Sequence, residues 1–185
     1  MKTALCFTDN GRSVNHTLGN IKKNLIDPLG NCDIFALIAK GAYSSIASQK
    51  LAHLKHLKLL VEDEPEYDLE GYTFRPHWPS PANDGSSHQV YIKMLKARQK
   101  CGYLVAAEEE RSGKKYDRIL HSRLDVKYFG DVCKALKGLD LQHLYTPDFH
   151  NTFGGIIDGY NDRFAVGDSA HMHTYFQLPE SIDLF

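Results

Sequence analysis

KKYDRILHSRLDVKYFG (residues 114–130) is the stretch on which the reading of this chain turns. Ile119 and Leu120 are apolar, as a buried strand requires. From Arg123 the pattern becomes strict alternation, with Leu124, Val126 and Tyr128 on one face and Arg123, Asp125 and Lys127 on the other. Period-two alternation predicts a strand with one covered face. Such a strand would enter the core and bring an arginine and an aspartate to its far end.

Working outward, the neighbouring segments alternate in kind. Lys2 to Thr8 reads as a first strand, stopped by Asp9-Asn10-Gly11. Val14, Leu18, Ile21, Leu25 and Leu29 recur at helical spacing, and Pro28 and Gly30 mark the end of that helix. Cys32 to Ala39 is apolar almost throughout, as expected of a parallel strand covered on both faces. A short helix is expected over Ser45 to Lys55 and a third strand over Leu57 to Val61. Residues 65–88 hold four prolines together with Tyr72, Phe74 and Trp78. They read as a long loop, and loops of that length are usually either functional or disordered. Val90, Met94, Ala97, Cys101 and Leu104 then form a helical stripe ending near Gly113. After the 114–130 strand come a helix near Val132 to Lys137 and a strand at His143 to Thr146.

This order predicts an α/β three-layer sandwich, Rossmann-like, with a largely parallel central sheet flanked by helices. Ligands of such sheets bind outside the carboxyl ends of the strands. Asp9, Glu62, Asp63, Arg123 and Asp125 all fall at predicted carboxyl ends and should converge there.

The 185 residues suit one domain, 1–185, and equally a fragment of a longer protein. A net charge of −1 gives no bulk attraction to nucleic acid or anionic membrane. The apolar runs are too short to span a membrane, and the run that ends at Phe7 is too short for a signal peptide. The cysteines Cys6, Cys32, Cys101 and Cys133 are far apart in sequence, which fits reduced core residues in a reducing compartment. No GxGxxG follows the first strand, and GxxxxGK[ST], GxSxG and HExxH are absent.

Three stretches remain as candidates. Arg123-Leu124-Asp125 suits a carboxylate holding a hard divalent cation beside a phosphate-binding arginine, and equally a surface salt bridge. GGIIDGYNDRFAVGD (154–168) offers close backbone approach at Gly154 and Gly155, with Asp158, Asp162 and Asp168 as carboxylates able to act as a general base. Alternatively, Asn161 and Asp162 cap a helix beginning at Phe164. Thr8-Asp9-Asn10-Gly11-Arg12 leads into a helix N-terminus, where amides favour anions and Arg12 could pair with a phosphate. An ordinary turn reads the same.

In combination these pieces resemble the small GT-A-fold nucleotide-sugar glycosyltransferases found in algae, large algal viruses and bacteria. The resemblance rests on Gly11-Arg12, on Asn20-Ile21 with Asn24, Pro28 and Cys32-Asp33-Ile34-Phe35, and on Cys101, Glu108 and Tyr116-Asp117. Ser122-Arg123-Leu124-Asp125, Gly154-Gly155 and Asn161-Asp162-Arg163-Phe164-Ala165-Val166-Gly167 complete it. It implies a hexosyl- or deoxyhexosyltransferase that moves a sugar from a nucleotide-diphosphate donor, UDP by expectation, to a hydroxyl of a glycan or glycoconjugate. It implies Asp125 on a Mn2+ or Mg2+ cofactor and a base near Phe7 and Thr8. In an inverting reaction Asp162, or else Asp158, would serve as the catalytic base. Gly154, Gly155, Asn161 and Trp78 would lie on the acceptor or sugar side. The expected location is the cytoplasm, the host's if the chain is viral. Two departures stand out: Arg123 occupies the place of an acidic motif's first aspartate, and the late histidine ligand of that family has only His171 and His173 as candidate substitutes named by position, not by motif. A non-catalytic nucleotide- or glycan-binding domain and a metal-dependent phosphoesterase are the competing expectations.

Overall fold

The computed structural model describes residues 1–68, 86–147, 152–153, 156–157 and 163–178. In chain order, the first half contains β1 (Thr3–Asp9), α1 (Val14–Ile21), a π-helical turn (Lys22–Ile26), α2 (Asp27–Leu29), β2 (Asp33–Ala39), α3 (Ser44–Leu51) and β3 (Leu57–Glu62). The second half contains α4 (Ser86–Ser112), β4 (Arg118–Ser122), α5 (Val132–Ala135), β5 (Thr152–Phe153), β6 (Ile156–Ile157), β7 (Phe164–Gly167) and α6 (Ser169–Gln177).

Five strands form one sheet in the order β3-β2-β1-β4-β7, with β5 and β6 pairing separately. The first four are parallel and β7 is antiparallel to β4. Both faces are covered, which is why β1 and β2 read as continuous apolar runs. Leu5, Phe7, Ile34 and Ile38 pack against Val14, Ile21, Leu25, Ala47 and Leu51. Ala4, Cys6, Phe35 and Leu37 face Cys101 and Val105 of α4 and Met172, Tyr175 and Phe176 of α6. Cys6, Cys32, Cys101 and Cys133 are free thiols.

The alternation after Arg123 does not continue the strand. β4 ends at Ser122; the Arg123 N–H still bonds the Arg163 carbonyl beside β7, but from Leu124 onward the backbone is tied to α1 and the π-helical turn. Thr17 Oγ1 donates to the Leu124 carbonyl at 2.5 Å. Asn20 and Asn24 donate to the Tyr128 carbonyl at 3.0 and 3.1 Å, and the Tyr128 N–H returns a bond to Asn20 Oδ1 at 2.7 Å. Leu124 is buried in the core with Val14 and Val132, so its apolar character came from a turn and not from a strand.

Two further expectations change. Phe164 begins a strand, not a helix: Phe164 pairs with Ser122 and Gly167 with Ile119. The helix begins at Ser169 and is capped by Asp168, whose side chain accepts from the His171 N–H. The expected strand at His143 to Thr146 is reduced to one antiparallel bridge between Tyr145 and Val166.

Candidate functional site

The strand order reverses direction between β1 and β4, and the turns leaving those two strands form the site. Open α/β sheets bind ligands at such a switch point. A cavity of about 240 Å3 lies there. Thr8, Asp9, Asn10, Arg12 and Ser13 line it from the β1 turn, Arg123 and Asp125 from the β4 turn, and Ala39 and Glu64 from β2 and the segment after β3. One face of α4 supplies Val90, Lys93, Met94 and Ala97. The lining is therefore two-sided, with charge on the strand ends and an apolar wall from Ala39, Val90, Met94 and Ala97.

Asp9 joins the two turns. Its Oδ1 accepts from the Gly11 N–H at 2.7 Å, and it also accepts from the Leu124 backbone. Burial raises its pKa, the Gly11 bond opposes that rise, and the nearby Asp125 charge adds to it. Asp125 pairs with Arg123: the guanidinium donates from Nε to Oδ1 at 3.0 Å and from Nη2 to Oδ2 at 2.5 Å. This fork geometry sets both planes and is the stronger class of ion pair. The Arg123 N–H is also bonded to the Arg163 carbonyl at 3.1 Å, so the arginine backbone is fixed between β4 and β7.

Behind this wall lies a buried polar chain. His121, 2% exposed, sits on β4 with Nε2 2.9 Å from Thr8 Oγ1 and Nδ1 3.3 Å from the Tyr175 hydroxyl. Burial lowers its pKa to about 3, helped by the charges of Arg98 and Arg123. The ring is thus neutral at ordinary pH and donates from one nitrogen while accepting at the other, so Thr8 and Tyr175 take opposite roles. Arg98, 4% exposed, lays its guanidinium 4.2 Å from the Tyr175 ring centroid.

Among the residues singled out by sequence, Thr8, Arg12, Arg123 and Asp125 line the cavity. Phe7 does not. It is 0% exposed in the core against α1, so it cannot stack on a ligand base. Gly11 shapes the turn without lining the cavity: its φ is +80°, and a Cβ there would stand 2.6 Å from Ala47 Cβ of α3. Asp168, His171 and His173 cannot complete the site, because antiparallel β7 carries them toward the amino end of β4. Asp168 caps α6 and pairs with His171, and His173 bonds buried Glu109. Asp158, Asp162, Gly154, Gly155, Asn161 and Trp78 lie outside the described residues. Sequence reasoning missed Lys93, Met94 and Ala97 as cavity residues, and missed His121 and Arg98. A histidine inside the apolar run Ile119-Leu120-His121 was a usable signal; a lone arginine in a long helix was not.

The described residues do not suit a divalent cation at Asp125. They contain no group of three or more His, Cys, Asp or Glu side chains placed to hold a metal. Both Asp125 oxygens are taken by Arg123, and the guanidinium would stand against any cation bound there. Asp125, expected on the metal, is the ion-pair partner of Arg123 among the described residues.

No protein-family model matches the sequence, and no curated protein sequence matches it. Solved structures do match in shape. The galactosyltransferase LgtC, determined with donor and acceptor sugar analogues, superposes with a TM-score of 0.50 at 15% identity, over 94% of this chain and 59% of that one. Its active-site variant Q189E gives a TM-score of 0.52 at 16% identity. Mouse xyloside xylosyltransferase 1 gives 0.52 at 12% identity, over 99% of this chain and 73% of that one. The fold is that of the GT-A glycosyltransferases. The chain spans 59% of the length of LgtC.

Proposed function

We propose that this chain is a glycosyltransferase domain that binds a nucleotide-diphosphate sugar, UDP-linked by preference, and passes the sugar to a hydroxyl of a glycan or glycoconjugate. The observation that carries this reading is the two-sided cavity at the β1–β4 switch point, in a fold shared with sugar transferases. Its apolar α4 wall suits a base or sugar face, and the strand-end turns with Arg12 and Arg123 suit a diphosphate. At about 240 Å3 it is smaller than the roughly 300–1,000 Å3 of drug-sized pockets, so it would hold part of such a donor.

In an inverting displacement the acceptor oxygen bonds to C1 of the sugar as the bond from C1 to the diphosphate oxygen breaks. The nucleoside diphosphate leaves with that electron pair, and the hydroxyl proton passes to a carboxylate. Asp162 is the first candidate for that base and Asp158 the second, both on sequence grounds. Arg123 and Arg12 would stabilise the charge growing on the diphosphate, which is electrostatic catalysis of the usual kind.

Thermal unfolding with uridine, guanosine, cytidine and adenosine diphosphates tests the donor. A ligand at a hundred times its dissociation constant adds about 2.7 kcal/mol of stability. Stabilisation greatest for the uridine nucleotide, with loss of a nucleoside diphosphate from the sugar nucleotide on turnover, supports the reading. Release of sugar phosphate or inorganic phosphate would instead mark a phosphoesterase.

A further inference from the structure

We propose that the Arg123 guanidinium, held by Asp125, supplies the positive charge beside the donor diphosphate, and that this site works without a divalent cation. The proposal rests on the donor-binding reading above and specifies its chemistry.

Three independent features of the molecule support it. The first is the fork pair itself. A divalent cation needs carboxylate oxygens, and both oxygens of Asp125 already accept from Arg123. Metal binding would have to break that pair and place two like charges side by side. The second is how firmly the guanidinium is carried. The Arg123 N–H is anchored to Arg163, Thr17 and Asn20 of α1 fix the turn that follows, and Asp9 binds the Leu124 amide within that turn. The backbone that carries the Arg123 side chain is therefore tied to β7, to α1 and to the turn after β1. The third is the charge behind the site. Arg98 is buried beside His121 and Tyr175, and no carboxylate pairs with it among the described residues. It raises the local positive potential, which favours a polyanion and opposes a second cation.

Asp125 is then a positioning residue that presents the guanidinium. Arginine suits the task because it is always charged and its planar fork can bridge a carboxylate and a phosphate. Arg12 lines the cavity on the same side, and Lys93, paired with Glu66, lines it from α4.

Two measurements on the full chain test this. The first is titration of wild-type protein with Mn2+ alone, followed by the spin-resonance signal of the free ion. It needs no nucleotide and is repeated on Asp125→Asn. The expected result is no binding that Asp125→Asn removes; saturable binding lost in Asp125→Asn overturns the proposal. The second is calorimetric titration with uridine diphosphate, once in chelator and once with Mn2+. The expected result is the same affinity in both, with Arg123→Gln at least about tenfold weaker in chelator, a loss of about 1.4 kcal/mol or more. A gain of about tenfold or more on adding Mn2+ to wild type overturns it. Failure of every nucleoside diphosphate to bind in both conditions sinks the donor reading and the role of Arg123 together. The Mn2+ titration then still shows separately whether a cation site exists.

Discussion

Thr8 Oγ1 lies 2.9 Å from His121 Nε2, joining the last turn of β1 to β4 directly behind the cavity wall. Thr8 is thereby fixed from inside the core, and the ring that fixes it has a depressed pKa of about 3 because burial and two arginine charges disfavour imidazolium. Between the ordinary value of 6.5 and about 3, the unfolded chain takes a proton at this histidine and the folded chain does not. Stability must therefore rise with pH in that window and be lost as the pH falls through it. Urea unfolding between about pH 7.5 and 4.5 should show wild type losing up to about 1.4 kcal/mol per pH unit below 6.5 relative to His121→Gln. Parallel pH profiles for the two proteins would show that His121 is free to protonate in the folded state.

Asp125→Asn should leave the protein folded, because the pair is partly open to solvent and such pairs contribute only about 0–1 kcal/mol. Its effect should appear in binding. The guanidinium loses the carboxylate that orients it, so uridine diphosphate affinity in chelator should fall by about tenfold or more. Calorimetry on the folded variant reads this directly. An unfolded variant whose folded fraction binds normally would make Asp125 a structural residue only.

Gly102 of α4 meets α6 so closely that a Cβ would stand 2.6 Å from Phe176 Cβ and 2.7 Å from its Cγ. Phe176 is itself buried against the sheet and cannot swing out. Gly102→Ala should therefore lose about 1–3 kcal/mol by overpacking, despite the better helix propensity of alanine. The expected result is a lowered unfolding midpoint with nucleotide affinity unchanged per folded molecule. Unchanged stability would mean that α4 and α6 separate easily.

The layered architecture was legible because burial leaves a direct mark on sequence. Lys2 to Thr8 and Cys32 to Ala39 are apolar without alternation, and they form the two central strands β1 and β2. The errors came where an apolar residue has another reason to be apolar. Within the stripe Val90, Met94, Ala97, Cys101 and Leu104, the last three pack on the core as a stripe should, yet Val90, Met94 and part of Ala97 form a cavity wall. Leu124 looked like a strand residue because a buried turn and a buried strand select the same side chain. Phe164 to Gly167 is too short to announce a strand, since its pairing partner is β4, some forty residues earlier. The convergence of Asp9, Arg123 and Asp125 followed from topology alone, whereas Glu62 and Asp63, expected with them, lie off the cavity and pair with Lys100 and Lys40. The pairing of Arg123 with Asp125 did not follow, because whether an aspartate meets a metal or an arginine depends on distances that spacing does not encode.

Asp162→Asn separates chemistry from binding. Asp162 lies outside the described residues, and the residue that follows it in sequence, Arg163, is bonded through its carbonyl to the Arg123 N–H. Asparagine keeps the shape and capping ability of aspartate but cannot accept the acceptor proton. Donor affinity should stay near wild type, while transfer should fall by about a hundredfold or more, the scale of general-base catalysis. Single-turnover transfer from the sugar nucleotide, measured beside donor calorimetry, checks both halves. A loss of donor binding in step with transfer would mark Asp162 as part of the binding site. Transfer at the wild-type rate would pass the role to Asp158, and normal transfer in Asp158→Asn as well would exclude both residues as the base.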